Sequence, residues 1–294
     1  MRRKIIAVCV LCMVLGTCCS CANRETEEPL EAEADGTASD SGEAEYTESP
    51  LLLKVATTKT PESVSYEGLE ILKESIETDS GGSMEVQIYP SGRLGEQTAI
   101  MEGVRLGTIE MAFLPLEAAE NIEAEVAELA PLFSAEEETL ALTQTERAEE
   151  IFTKMQEESN IRCLDCSLGG IQNLWTKQQI QDIGQLQGLR IRVAEIPSYI
   201  TAFQNLDVSI SSLPLSQVYD GLKTNLLDGV ELDSESVLCY SLYETCKYCL
   251  ETEHAVSVNA FFLSEDVWQE MSPEQQKIVQ AAVEDVSEWL TEQY

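Results

Sequence analysis

The chain has 294 residues, 53 acidic against 18 basic side chains, and a formal charge of −35. That excess excludes nucleic acid and an anionic lipid surface as electrostatic partners. A hydrophobic share of 44% suffices for one large or two modest domains.

The elements follow in chain order. Met1-Arg2-Arg3-Lys4 is a basic start, and Ile5 to Leu15 is an apolar run too short to span a bilayer. Gly16 to Cys21 follows as small residues ending in cysteine, so residues 1–21 read as an export leader. The pattern is that of a bacterial lipoprotein signal, in which Cys21 is lipidated and becomes the new N-terminus. Cys18 is the alternative, and an ordinary cleaved signal peptide is the plainer one. Residues 22–50 hold ten acidic residues and a single arginine. Such a segment cannot bury enough apolar surface to offset its ordering entropy, so it is expected to be a disordered tether.

Beyond residue 50, strand and helix signals alternate, which predicts an α/β fold. Leu51 to Thr57 reads as a strand. Thr60 is placed to cap a helix with Pro61 in its first position, and Leu69, Leu72 and Ile76 share one face. Ser80-Gly81-Gly82 turns the chain into a strand at Met84 to Tyr89. A helix at Glu96 to Leu106 is closed by Gly107, and Met111 to Leu114 is the next strand. Acidic helices are expected across 117–159, then strands at Ile161 to Cys166 and Leu189 to Val193, the latter near a hinge. Ser216 is placed to cap a helix that turns Val218, Tyr219, Leu222 and Leu226 inward. Val256 to Leu263 returns as a strand. Ser272-Pro273-Glu274-Gln275 is a capping box that opens a long helix.

Ten cysteines overstate the redox signal, because five lie at or before residue 21. Two Cys-x-x-Cys pairs remain, Cys163 with Cys166 and Cys246 with Cys249, and Cys239 stands alone. Zinc would require both pairs to converge. The first pair sits in a strand-like run and the second on an apparent helix end, so free thiols or one disulfide are expected. His254 is the only histidine, and neither a nucleophile elbow, an HExxH helix nor a phosphate-cradling glycine loop is present. No enzyme activity, cofactor or metal is therefore assigned.

Arg190 and Arg192 share one face of a predicted strand whose other face carries Leu189, Ile191 and Val193. Both faces of a parallel strand are normally covered, so an arginine there must reach solvent or meet an anion. Ligands of open α/β sheets lie beyond the carboxyl ends of the strands, which selects Arg192. Its guanidinium can form two parallel charge-assisted hydrogen bonds to a carboxylate. The competing reading is a salt bridge to one of the chain's own glutamates.

Several ordered blocks carry a family resemblance. They are Gly188 to Val193, Pro214 to Thr224 and Asp228 to Glu231, together with Tyr89-Pro90-Ser91-Gly92-Arg93-Leu94-Gly95-Glu96, Gly107 to Met111, and Tyr243-Glu244 with His254. This set resembles the solute-binding proteins of TRAP (tripartite ATP-independent periplasmic) transporters, typified by four-carbon dicarboxylate binders, from about Leu51 to Tyr294. The resemblance implies a two-lobe periplasmic-binding-protein-like α/β fold with a hinge and a ligand cleft between the lobes. Residues 51–170 would begin lobe I and 171–257 would form lobe II. Residues 258–294 would supply a return strand and a long helix. The family usually continues beyond that helix with a further strand and helices, so this chain either lacks the segment or is a shortened sequence.

The resemblance also implies site residues. The arginine matching Arg192 carries the solute's carboxylate in the family. The other family positions depart from the pattern: an arginine position holds Gln172, a second basic position falls at Gln178 beside Lys177, and the asparagine after D-G-x-E becomes Leu232. With one arginine left, a monocarboxylate is favoured over a dicarboxylate. Thr58 and neighbouring Lys59 are expected on the facing wall. Trp175 is either a pocket wall or core, and His254 is taken as structural. The implied function is an extracytoplasmic, lipid-anchored receptor that binds a small carboxylate-bearing solute and delivers it to TRAP membrane permease subunits. A ligand-sensing lipoprotein serving a sensor kinase, or a non-binding interaction lipoprotein, are the alternatives.

Overall fold

The structure is a computed structural model and describes residues 50–132 and 136–294. The leader, Cys21 and residues 22–49 of the tether lie outside the described residues.

The described chain opens as β1 (Leu51–Ala56), α1 (Val64–Asp79), β2 (Met84–Tyr89), α2 (Gln97–Arg105) and β3 (Met111–Pro115), with β1 parallel to both β2 and β3. Two 3-10 turns, Leu116–Asn121 and Ala124–Glu128, lead to α3 (Glu136–Leu142) and α4 (Glu146–Ser159). A long strand β4 (Ile161–Thr176) then carries the chain into β5 (Arg190–Arg192), α5 (Pro197–Gln204), β6 (Ser209–Ser211), α6 (Leu215–Lys223), β7 (Gly229–Asp233) and α7 (Ser234–Cys239). A second long strand, β8 (Tyr248–Ser264), returns it to α8 (Glu265–Glu270) and α9 (Pro273–Gln293).

All eight strands form one mixed sheet in the order β2-β1-β3-β8-β4-β7-β5-β6. β4 and β8 run antiparallel over most of their 16 and 17 residues. One end of this ribbon joins the half built on β3, and the other joins the half built on β7. The order reads as two parallel half-sheets connected through a shared ribbon.

Alternation on the strands sorts the core. Phe113 and Phe261 point to the face covered by α1 and α9, where their ring centroids lie 4.6 Å apart. Ala112, Leu114 and Phe262, one residue out of step, point to the face covered by α2 and α4. The second half has its own apolar clusters, one around Ile191, Val193, Tyr199 and Phe203 and one around Val218, Leu222 and Val230.

Several sequence expectations change. Ser63, not Thr60, caps α1, because Thr60 to Ser63 closes a turn of its own (Ser63 N to Thr60 O, 3.0 Å) and the Ser63 hydroxyl then accepts from Tyr66 N. Pro214 occupies the cap of α6, and Ser216 lies inside that helix. β4 runs ten residues past Cys166, through Gly169 and Gly170, and β8 starts before Val256. Cys249 therefore belongs to a strand rather than a helix end, while the Cys163 and Cys166 sulfurs lie 3.8 Å apart. The strand carrying Arg192 sits one place from the sheet edge, away from the crossing ribbon. The capping box at Ser272 and Gln275 forms as expected.

Candidate ligand-binding cleft

β5 is only three residues long, yet its two arginines have opposite fates. Arg190 is exposed at the strand's start and grips Asp228 through two bonds, Nε to Oδ2 at 2.8 Å and Nη2 to Oδ1 at 2.7 Å. That grip holds the Asp228 carboxyl below its ordinary range. Arg192, at the carboxyl end, is only 7% exposed. Its Nε donates to Leu213 O at 3.1 Å, and among the described residues no carboxylate lies within 4.0 Å of it. Burial pulls its pKa down, and the charges of Glu231 and Glu96 pull it back up. A guanidinium keeps its proton under such opposition, so the cleft holds a fixed positive charge.

The cleft beneath Arg192 encloses about 580 Å³, counting its open mouth. Thr58, Lys59 and Glu96 wall it from the first half of the sheet; Gln172, Arg192 and Glu231 wall it from the second. Glu231 is 1% exposed, with its oxygens 3.5 Å from Ala194 N and 3.7 Å from His254 Nε2. Asp233 is occupied by its own helix cap, accepting from Ser236 N at 2.9 Å and Ser236 Oγ at 2.6 Å. Lys59 Nζ lies 3.9 Å from Glu235. Gln172 is buried with its Oε1 lacking any hydrogen-bond partner, a state that native structures rarely leave unfilled.

The two halves touch across this cleft. Glu120 accepts from Ser198 N at 3.0 Å and from Ser198 Oγ at 2.7 Å, while Glu235 accepts from Val64 N at 2.7 Å. Glu96 meets Leu215 N at 3.4 Å, and Tyr240 donates its hydroxyl to Thr58 O at 2.7 Å. Glu117, fully buried on the first 3-10 turn, accepts from the Tyr199 hydroxyl at 3.1 Å, and its second oxygen has no partner. Burial pushes the Glu117 carboxyl up to about 8.

Residues 55–294 match the family described as bacterial extracellular solute-binding protein, family 7 (DctP). The chain belongs to this family. DctP proteins are the TRAP-type solute receptors, extracytoplasmic binding proteins rather than enzymes. The chain is 27% identical over 215 residues to an uncharacterised protein of Haemophilus influenzae, covering 72% of this chain and 65% of that one. It is 24% identical over 244 residues to the sialic acid-binding periplasmic protein SiaP of Vibrio cholerae, covering 80% and 74%. The alignment thus spans less than two thirds of the first relative's length and about three quarters of the second's. In three dimensions it resembles a TRAP periplasmic solute-binding protein of Roseobacter denitrificans with bound L-galactonate, at a TM-score of 0.78, 22% identity and coverage of 83% and 81%. That likeness establishes the periplasmic-binding-protein-like α/β fold.

In this DctP chain, Arg192, Gln172, Thr58 and Leu232 come together on the cleft, and Lys59 joins them. Lys177 and Gln178 do not. Lys177 lies just past the end of β4, five residues from Gln172, a path of about 16 Å at strand rise. There its ammonium donates to Leu222 O and Asn225 Oδ1, and Gln178 is exposed. Trp175 is not a cleft wall either: its Nε1 donates to Leu232 O at 3.0 Å and its ring packs on the Val218 cluster. His254 stands behind the cleft, bonded to Thr252 and edge-on to Phe203 and Tyr199. Sequence reasoning missed Tyr199 and Glu117. Glu231 and Glu96 were visible within the family blocks but were not read as cleft residues.

Proposed function

We propose that this protein is the solute receptor of a TRAP transporter, taking a small monocarboxylate into its cleft and presenting it to the membrane permease. One observation carries the reading: a buried guanidinium with no carboxylate partner faces the cleft. A buried charge without a partner is costly, and an incoming carboxylate supplies the missing one. The single arginine favours one acid group over two. The relatives support the same solute class, since SiaP is named for sialic acid and the Roseobacter protein holds L-galactonate, both sugar acids. Residues 51–170 and 171–257 are proposed as the main bodies of the two lobes, with lipidation of Cys21 tethering them outside the cytoplasmic membrane.

The decisive experiment is calorimetry on Arg192→Ala with a solute selected by thermal-shift screening of small organic acids. Charge-assisted hydrogen bonds contribute about 1.5–3 kcal/mol, so affinity should fall roughly 10- to 100-fold. Arg192→Lys should fall in between, because it keeps the charge and loses the paired geometry. The alanine variant should still fold, checked by a cooperative ligand-free melt, so that a loss of affinity reports on the site. Unchanged affinity in Arg192→Ala would refute the role.

A further inference from the structure

We infer that the solute carries a cationic amino group as well as its carboxylate. The inference rests on the receptor reading above and narrows its solute class. Two cationic and three anionic side chains wall the cleft. Lys59 already faces Glu235 at 3.9 Å, and Asp233 is taken up by the two hydrogen bonds from Ser236. That leaves Arg192 opposed by Glu231 and Glu96. A simple carboxylate entering there would satisfy the guanidinium and leave two glutamates uncompensated in a space that closure dries out, where like charges interact most strongly.

Hydrogen bonding points the same way. Besides Arg192 and the loosely held Lys59 ammonium, two buried acceptors are underfilled, and the first is Glu231, with only a 3.5 Å contact from Ala194 N and a 3.7 Å approach from His254, whose other ring nitrogen is held by Thr252. Gln172 is 93% buried, lines the cleft, and has an Oε1 with no partner. The site therefore asks for a ligand with one anionic end and several N–H donors. A hydroxyl would fill an acceptor but leave the glutamate charge in place, whereas an ammonium fills it and neutralises it.

The test uses the full chain and matched amino and hydroxy acids of three sizes: L-alanine with L-lactate, γ-aminobutyrate with γ-hydroxybutyrate, and D-glucosaminate with D-gluconate. In at least one pair the amino acid should bind at least tenfold tighter by calorimetry, and Glu231→Gln should remove most of that gap. If Glu231→Gln fails to fold, Glu96→Gln, at a partly exposed position, should narrow the same gap. Equal or tighter binding of the hydroxy acids would overturn the ammonium while leaving Arg192 as the carboxylate partner. Silence from every pair would overturn the inference and count against the carboxylate reading as well. A gap that both glutamine variants leave intact would also overturn it.

Discussion

Glu117 is an acid whose ionisation in the fold departs far from that in an unfolded chain. Burial raises its carboxyl to about 8, outweighing the hydrogen bond from the Tyr199 hydroxyl, and the negative charges of Glu120 and Glu231 push the same way. An acid raised from 4.5 to about 8 stabilises the fold fully below pH 4.5 and withdraws that support as pH climbs through 8. The swing is at most ~5 kcal/mol, and Glu120, also raised by burial, acts in the same sense. The urea midpoint of the wild type should therefore fall between pH 5.5 and 8.5 (roughly the window these directions define), while that of Glu117→Gln stays flatter. Parallel curves would remove the role. At this scale the sequence was legible only where a side chain broke its local pattern. Arg192 stood out as a charge on a strand expected to be covered on both faces. Glu117 looked like any of the glutamates around it, because its burial comes from α5, a distant element. Lys177 and Gln178 were misplaced by the resemblance, since nothing in the sequence marked how far β4 continues.

The ribbon of β4 and β8 shows why elements were partly readable. β8 is buried without a break from His254 to Ser264, and β4 carries Gly169-Gly170 and three register shifts against β8 along its length, which together erase the period-two signal. Those glycines are there because the ribbon is crowded where it crosses. A Cβ on Gly170 would lie 2.7 Å from Asp233 Cβ, and one on Gly169 2.7 Å from Asn259 Nδ2. Gly170→Val should cost about 1–3 kcal/mol through overpacking, and it should also push Asp233 off its cap on Ser236. A lower urea midpoint at unchanged m-value is the expected result; no change in midpoint would mean the ribbon has room the geometry does not show. The cap errors at α1 and α6 have a related cause. Thr60 and Ser216 have suitable side chains, but the first turn's donors are met by Ser63 in one case and by a glutamate from across the cleft in the other.

At the scale of the whole molecule, the acidic composition acquires a mechanical role. Three glutamates reach across the cleft, and each accepts from a first-turn N–H of a helix in the opposite half: Glu235 on α1, Glu120 on α5 and Glu96 on α6. Helix starts carry N–H groups with no internal partner, so each contact satisfies a donor that opening would return to water. None of these pairings was legible in the sequence, because the partners lie 171, 78 and 119 residues apart. The family blocks, by contrast, made the fold itself legible from one end of the described chain to the other. The glutamates are therefore expected to act on the balance between closed and open forms rather than on the folding of either half. Glu120→Ala combined with Glu235→Ala removes two of the three contacts, each about 0.5–1.5 kcal/mol. Ligand-free scattering should then give a larger radius of gyration than the wild type, and solute should dissociate about 5- to 100-fold faster with little change in association rate. An unchanged radius together with an unchanged dissociation rate would show that the halves are held shut by the ribbon and its packing alone.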